Sequence, residues 1–396
     1  MYNILAYVYI FSFIFQNIQL LREYGTITMI GEYYLLPVSI IILYFSKKIK
    51  KHYITNSYSN FIKYSFILNL LVSILIIFTG RISIYGENSF IKSFHILLGI
   101  IFQYITLLAM VKIFEKIRLK KLKKIFEINY IIISIIFLVE KYILNNEGRI
   151  VLTFAEPSAA GYYVVILGML NLYFTQKKIL KVIIVGTMIY MNFFILSKGS
   201  IICILLSIIL IGTKEKQHRY KIIILAFLIT IIGYERVLSL FQNDIKYFTS
   251  IITRSWSIIT AVICFILFPI GSGGSYLVFY SFIGEKVKEI LQMRYSFFNF
   301  TEIEFMLDSG VALSPKSGFF FGVLIAGIGY LKFSYNNFKY FFLKLKNESI
   351  LLTLLIFFFT SNIFYSSEFQ APHQILIYSI FTKIINERRK LYDNTF

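Results

Sequence analysis

Apolar stretches long enough to cross a membrane recur along almost the whole sequence, and this repetition constrains the fold most. Runs such as 61–79, 93–114 and 351–365 approach or reach the roughly 20 residues that span about 30 Å of hydrocarbon. Backbone polar groups in lipid must hydrogen-bond internally, so each run is predicted to be a helix. Charged residues make up 15% of the 396 residues, which is too few to cover a soluble protein of this size. The sequence therefore predicts an all-α polytopic membrane protein.

The apolar pattern predicts about 12 transmembrane helices within a single integral membrane domain that covers residues 1–396. The predicted spans are 3–21, 27–45, 61–79, 93–114, 126–144, 158–175, 180–196, 200–212, 221–234, 317–333, 350–367 and 373–387. The first span lacks a basic leader and a small-residue cleavage site. We therefore expect it to be a retained helix rather than a removed signal peptide.

Basic residues cluster after the even-numbered spans and in the tail, a pattern that is typical of cytoplasmic loops. These clusters lie at 47–51, 116–124, 177–181, 214–221, 332–346 and 383–390. The pattern predicts a multi-pass protein of the cell inner (cytoplasmic) membrane with both termini in the cytoplasm. Because the net charge of +20 is divided among short loops, the sequence argues against nucleic acid as a partner.

One long interval, residues 235–316, separates the ninth and tenth predicted spans. Because the basic, cytoplasmic loops follow the even-numbered spans, the interval after the ninth span is predicted to be a large external (periplasmic) loop. Such long segments between elements are usually functional. Residues 257–269 within it are apolar enough to be a thirteenth span. A crossing there would place the basic segment 332–346 and the tail outside. We therefore expect 257–269 to form a helix that lies on or dips into the bilayer surface.

The external segment between spans five and six carries Arg149 and Glu156. Glu156 precedes Pro157, and a carboxylate followed by proline is favourable at the start of a helix. The same carboxylate could instead orient a sugar hydroxyl or accept its proton. The sequence leaves both interpretations open.

Two further external segments carry cations. Lys198 lies in the tight turn LSKGS and is either a lysine that reaches the membrane interface or a cation that holds a phosphate. Arg254 precedes Trp256, the only tryptophan. A guanidinium can hold phosphate oxygens bidentately, and the indole is expected as an interfacial anchor or a substrate contact. The GSGG at 271–274 predicts a sharp turn rather than a nucleotide loop, because the following Lys-Ser/Thr is missing.

Taken in order, these motifs resemble the O-antigen polymerase and O-antigen ligase superfamily. Arg254, Trp256, the apolar helix, Pro269 and GSGGSY are similar to the external-loop signature of that superfamily. Arg149 with TFAEPSAAGYY resembles its preceding outer segment. The resemblance extends over about 140–335, more than half of the chain.

Two more motifs continue the resemblance and one feature departs from it. LSKGS is similar to the serine-basic-small turn of the superfamily, with Lys198 where arginine is common. SPKSGFFFGVLIAGIGYLKF, from Ser314, resembles the helix that re-enters the membrane and ends in a glycine-rich patch. Ligase-like members place a histidine before that helix, whereas this chain has Ser314, Pro315, Lys316 and Ser317. The departure favours a polymerase-like member and leaves the catalytic base open.

The resemblance implies transfer of a growing glycan from an undecaprenyl-pyrophosphate carrier onto another lipid-linked repeat unit. Arg149, Lys198, Arg254 and Trp256 are then the expected substrate-binding residues, and Glu156 and Asp308 are the expected catalytic carboxylates. The expected partners are the undecaprenyl-pyrophosphate-linked oligosaccharide, the lipid bilayer and a chain-length regulator protein. No metal or other cofactor is expected, because pyrophosphate can leave once cations neutralise its charge.

Other functions stay open from the sequence. A lipid-linked oligosaccharide flippase would have a similar composition, although matching halves and short external loops are expected of it. A ligase, a peptidoglycan-type polymerase and a purely structural membrane protein also remain. A membrane acyltransferase should carry a histidine paired with an acid; His52 and His218 lie in predicted cytoplasmic loops, and His95 and His373 lie near predicted outer helix ends.

Overall fold

The structure, a computed structural model, describes residues 2–14, 30–46, 52–79, 83–84, 87–144, 150, 152–154, 157–195, 197–212, 249–294, 317–364 and 372–393. This part of the chain is almost entirely helical. The helices are α1 (Tyr2–Ile14), α2 (Ile30–Tyr44), α3 (Tyr53–Thr79), α4 (Ser89–Lys116), α5 (Leu119–Leu138), α6 (Pro157–Phe174), α7 (Lys178–Ile195), α8 (Lys198–Gly212), α9 (Thr249–Leu267), α10 (Tyr276–Arg294), α11 (Gly318–Leu345), α12 (Ser349–Phe364) and α13 (Pro372–Asp393). Two short strands, β1 (Ser83–Ile84) and β2 (Glu87–Asn88), pair antiparallel before α4.

Four of the described helices are long and apolar enough to cross a membrane. These segments are Tyr53–Phe78, Ser93–Lys116, Lys178–Ile195 and Gly318–Leu345. Shorter apolar helices occur at Ala159–Phe174, Ser255–Leu267 and Ser349–Ile363. Large apolar side chains such as Ile179 and Val182 face outward from α7, as is expected of a helix in contact with lipid. The helical architecture indicates a membrane protein, and the predicted span 221–234 lies outside the described residues.

Polar contacts join several helix ends at one end of the bundle, which we call the basic end. His52, before α3, pairs with Glu115 near the end of α4. Arg388 in α13 pairs with Glu348, which precedes α12. The same guanidinium donates a 3.4 Å hydrogen bond to the hydroxyl of Tyr173 near the end of α6. These helix ends therefore lie at one level, and each adjoins a loop or tail that the sequence assigns to the cytoplasm.

Helix lengths differ markedly above the basic end. α3 and α4 contain 27 and 28 residues, which corresponds to about 40 Å at about 1.5 Å per residue. α6 and α12 contain 18 and 16 residues, or about 27 and 24 Å. Because all four helices have an end at the basic end, α6 and α12 stop about 15 Å short of the far ends of α3 and α4.

α9 and α10 form an antiparallel helical hairpin. The indole nitrogen of Trp256 donates to the backbone oxygen of Gly284 at 2.9 Å, and the rings of Phe268 and Phe279, next to the turn, lie 4.4 Å apart. The apolar segment 257–269 is thus one arm of a hairpin whose other arm returns toward the same side. The predicted position of 257–269 at the bilayer surface stays a prediction.

The glycine-rich turn of this hairpin is buried in the bundle. Gly271 and Gly273 have φ values of 97° and 60°, a conformation that favours glycine, so the predicted sharp turn is confirmed. The N–H of Ser272 donates to Leu324 O at 2.9 Å, and the N–H of Gly274 donates to Asn69 Oδ1 at 2.7 Å. Since these amides are engaged inside the protein, the turn does not offer them to a phosphate.

α11 is broken at Gly327, where φ is 47° and ψ is −130°. The ring centroids of Phe319 and Tyr330 lie 5.9 Å apart, whereas 11 residues of straight helix would separate them by about 16 Å along the axis. The two halves of α11 are therefore sharply bent toward each other. The break is closed by the hairpin turn, because the N–H of Ile328 donates to Pro269 O at 2.8 Å.

The predicted span 317–333 is corrected at its end as well as by the break at Gly327. α11 continues to Leu345, through the basic segment that the sequence assigned to a loop. Phe333, Asn337, Phe341 and Leu345 are buried at intervals of four residues. This spacing puts them on one face of the helix. Burial of this face against the bundle favours helix over loop despite the lysines on its other side.

Candidate functional site

Two of the segments singled out in the sequence meet where α6 and α8 begin. Ser197 precedes α8 and lies so close to Gly161 that a Cβ on the glycine would be 2.5 Å from Ser197 Cβ. Ser200 Oγ donates to Asn192 Oδ1 at 2.8 Å and contacts the backbone oxygen of Ser197 at 2.9 Å, which fixes the turn between α7 and α8. The segment that follows Glu156 and the turn that carries Lys198 are therefore neighbours.

Three further helix ends lie beside this contact. Ser317 caps α11 by accepting the N–H of Phe320 at 3.3 Å, and its hydroxyl donates to the backbone oxygen of Asn362 near the end of α12. His373, in the first turn of α13, lies 5.5 Å from the ring of Tyr163 in α6. We call the starts of α6, α8, α11 and α13, together with the end of α12, the helix-end cluster.

The helix-end cluster has more helix N-termini than C-termini, which favours an anion. Four helices begin there, and each N-terminus carries a partial positive charge and backbone N–H groups without a partner inside the helix. α7 and α12 end beside them with partial negative charge, which leaves an excess of two N-termini. α6 and α12 place the cluster about 25 Å above the basic end, whereas α3 and α4 continue to about 40 Å. The cluster therefore lies at mid-height among longer helices, where an anion would be partly shielded from water and would interact strongly.

The sequence-predicted site residues fall into three groups. Arg149, Glu156 and Asp308 lie outside the described residues. Lys198 and Arg254 belong to α8 and α9, with the first at the start of its helix, but their side chains lie outside the described part. Trp256 is described in full. The assignments of roles to these residues stay predictions.

Trp256 is buried rather than placed at a surface. Its side chain is 1% exposed, and it packs against Gly284, where an added Cβ would lie 2.7 Å from the indole. The indole also meets the ring of Tyr280 edge-on at 5.8 Å. The expectation of an interfacial anchor is therefore wrong for this conformation, because the indole holds α9 and α10 together. Its contact with a substrate stays a prediction.

α9, which carries Arg254, is connected to the helix-end cluster through α11 and α12. α9 makes its main packing contacts with α10 and α11, α11 packs on α12, and α12 packs on both α6 and α8. The first half of α11 runs from the helix-end cluster at Ser317 to the hairpin turn at Gly327. The structure thus joins the α6 and α8 segments directly and links the α9 segment to them through α11.

Glu140 is a buried carboxylate that the sequence analysis did not single out. It lies in a π-helical turn, Val139–Ile143, at the end of α5, and such turns often occur at functional sites. Its Oε2 accepts the N–H of Leu152 at 2.7 Å, and Phe154 packs against Tyr163 in α6 at 5.4 Å. Glu140 therefore fixes the segment that leads into the helix-end cluster. An acidic residue deep inside the apolar span 126–144, far from the basic segment before it, was the available signal.

Other charged groups lie away from the helix-end cluster. On the exposed face of α10, the hydrogen-bonded carboxylate of Glu289 raises the pKa of Lys286. At the basic end, His52 is paired with an acid, as expected of an acyltransferase. However, Glu115 meets its Nε2, and the amide of Asn386 lies 3.3 Å from its Nδ1. Both ring nitrogens therefore have partners on other helices, which ties α3, α4 and α13 together at the basic end.

Among the described residues, no group of three or more His, Cys, Asp or Glu side chains is arranged to hold a metal ion. Comparison of the chain with protein-family models, with curated proteins and with solved structures found no match. Sequence motifs and geometry are therefore what support a function.

Proposed function

We propose that this protein polymerises lipid-linked oligosaccharide repeat units into an O-antigen or a similar surface polysaccharide. It would transfer glycans from undecaprenyl pyrophosphate at the outer face of the cytoplasmic membrane. In this proposal about 12 spans cross the membrane, both termini are cytoplasmic, and 235–316 is periplasmic. The observation that carries the proposal is the helix-end cluster, where the segments of Glu156 and Lys198 adjoin.

The chemistry of the carrier matches the position of the helix-end cluster. Undecaprenyl pyrophosphate has an apolar tail for the bilayer, a charged diphosphate and sugars in the aqueous phase. The helix N-termini of the cluster would stabilise the diphosphate, with Lys198 at the start of α8 as an adjacent cation. Arg149 and Arg254 would hold diphosphate oxygens bidentately. Trp256 would position Arg254 by fixing α9 against α10.

The reaction requires a base for the acceptor and stabilisation of the leaving group. The acceptor hydroxyl attacks the anomeric carbon while the bond to the diphosphate oxygen breaks, and the electron pair leaves with the diphosphate. The hydroxyl proton passes to a carboxylate, for which Glu156 and Asp308 are the candidates. The cations stabilise the negative charge that grows on the leaving diphosphate. A chain-length regulator protein would act as a partner in setting product length.

Arg254→Ala and Arg149→Ala test this proposal in cells that lack the native gene. We expect gels of surface polysaccharide to lose the long-chain ladder and keep a single repeat unit on the core, because the diphosphate is no longer held. Lys178→Ala, an exposed cation at the start of α7, is the matched control and should leave the ladder intact. A normal ladder from well-expressed arginine variants would refute their assigned role.

The broken helix α11 supports a second candidate, a lipid-linked oligosaccharide flippase. Transporters commonly bind substrate at interruptions of membrane helices. In this chain, however, the break at Gly327 is filled by the hairpin turn through the hydrogen bond from Ile328 to Pro269. The same gels separate the two functions, because loss of a flippase leaves no repeat unit on the core.

Sidedness can be measured by thiol labelling of whole cells. Met293→Cys at the end of α10, where the native side chain is 80% exposed, should react with a membrane-impermeant maleimide. Lys178→Cys should react only after lysis, because the sequence places it in the cytoplasm. The native Cys203 and Cys264 are buried and should give a low background. Labelling of Met293→Cys only after lysis would contradict a periplasmic 235–316.

A further inference from the structure

His373 is a buried histidine with no hydrogen bond to either ring nitrogen within the described part of the chain. It is 9% exposed and is the second residue of α13. Buried polar side chains are almost always hydrogen-bonded to protein or to bound groups. The imidazole therefore keeps at least one ring nitrogen that the described residues do not use.

The ring is held between two helix starts. It meets the ring of Tyr163 in α6 edge-on at 5.5 Å and faces the backbone oxygen of Ala159 in the first turn of α6, without the geometry of a full hydrogen bond. Side chains at the start of a helix lean toward its N-terminus, so the imidazole points beyond the first turn of α13. α6 and α13 both begin with proline, Pro157 and Pro372, and the N–H groups that follow lack partners inside their helices.

The depth of His373 indicates the direction from which a ligand would approach. Thirteen residues separate it from Asn386, which contacts His52 at the basic end. This spacing puts His373 about 20 Å above the basic end, or half the length of α3 and α4. Tyr163 lies beneath it and donates a 3.3 Å hydrogen bond to the backbone oxygen of Ile10. A ligand would therefore come from the end of the bundle opposite to the basic end.

We propose that His373 and the starts of α6 and α13 bind a phosphate oxygen, which in the proposed polymerase belongs to the diphosphate of the lipid carrier. Imidazole has at least one N–H donor in either protonation state. Two helix N-termini add backbone donors and positive potential, which favour an anion over a neutral hydroxyl. The choice of lipid diphosphate as the ligand rests on the proposed function, whereas a phosphate site as such does not.

Binding to the purified full-length protein in nanodiscs tests the site. The probes are undecaprenyl diphosphate and inorganic diphosphate, and the variants are His373→Phe and His373→Gln. We expect His373→Phe to weaken binding of undecaprenyl diphosphate about tenfold or more, because a hydrogen bond to a charged group is lost. His373→Gln should retain most of the affinity, since its amide keeps an N–H donor. His95→Phe, at an exposed histidine of α4, is the matched control and should bind normally.

Nitrogen NMR gives a readout that a purely structural role would not move. The chain has four histidines, so a spectrum of histidine-labelled protein is simple, and the signal lost in His373→Gln identifies His373. This signal should shift when undecaprenyl diphosphate is added, while the His95 signal should not. A shift with inorganic diphosphate alone would support a site for the free anion, and a shift with the lipid alone would support a headgroup site.

Unchanged affinity of His373→Phe for both probes, or binding without a shift of the His373 signal, would overturn the phosphate site. Failure of this site is distinguishable from failure of the proposed function. If His373→Phe binds normally while Arg254→Ala loses the polysaccharide ladder, the phosphate site at His373 is refuted and the polymerase function is supported. If the His373 signal shifts with inorganic diphosphate while the arginine variants keep a normal ladder, the phosphate site is supported and the roles assigned to the arginines are refuted.

Discussion

Gly327→Ala is expected to prevent the protein from accumulating in the membrane. At φ 47° an L-residue is strained by about 1–2 kcal/mol. The added Cβ would also clash with Pro269 O and lie 2.5 Å from Gly271 N. These are backbone atoms that cannot rotate away, so α11 and the hairpin turn must separate. Separation would expose the N–H of Ile328, which costs a further 1–3 kcal/mol or so. A loss of several kcal/mol is large compared with the roughly 5–15 kcal/mol that stabilises a typical native protein.

Gly186→Ala is the matched control for this prediction. Gly186 lies in α7, and a Cβ there would meet nothing within 4 Å. Because alanine is the better helix former by up to about 1 kcal/mol, this variant should be as abundant as the wild type. Melting temperature in detergent and abundance in membranes measure both variants. A Gly327→Ala protein that melts like the wild type would show that the hairpin turn does not depend on the break in α11.

The same pair of elements shows what the sequence could and could not predict. Hydrophobic periodicity and length correctly indicate helices over most of the described chain, since each apolar run must satisfy its backbone internally. The break at Gly327 is not a local property, because several other glycines lie within unbroken helices, including Gly168 and Gly186. It depends on Pro269 and Ser272, about 55 residues earlier, which take up the backbone groups that the break releases.

The helix-end cluster was predictable only in part. Motif order pointed to the segments that lead into α6 and α8, and the structure brings these segments together at Gly161 and Ser197. Trp256 could not be distinguished from an interfacial tryptophan by residue type and position alone, because its burial depends on the partner Gly284. The position of His373 near a predicted outer helix end likewise did not indicate burial. His373 is buried because α13 starts about half-way along the longer helices. The level at which a helix starts cannot be predicted from residue type alone.

Under the proposed function, Gly161→Ala is expected to reduce polymerisation strongly while the protein still folds. The new Cβ would lie 2.5 Å from Ser197 Cβ and 2.8 Å from Ser200 Oγ. Ser197 Cβ is attached directly to the backbone, so the start of α8 must move away from α6. Overpacking of this kind costs about 1–3 kcal/mol, which most folds survive. A displacement of catalytic groups by about 1 Å, however, can lower a rate about 100-fold. The long-chain ladder, normalised to protein abundance, should fall accordingly.

Two companion variants decide whether the helix contact itself is responsible. Gly168→Ala, on the same helix, would meet the Sδ of Met188 at 2.7 Å, and a flexible thioether can move aside. It should retain a normal ladder. Ser197→Gly removes the Cβ that Gly161→Ala would strike, so the double variant should recover much of the lost polymer. Recovery in the double variant, measured as a double-mutant cycle, would show that α6 and α8 act as one unit. If Ser197→Gly fails to rescue Gly161→Ala, the separation of α6 from α8 is not the cause of the loss.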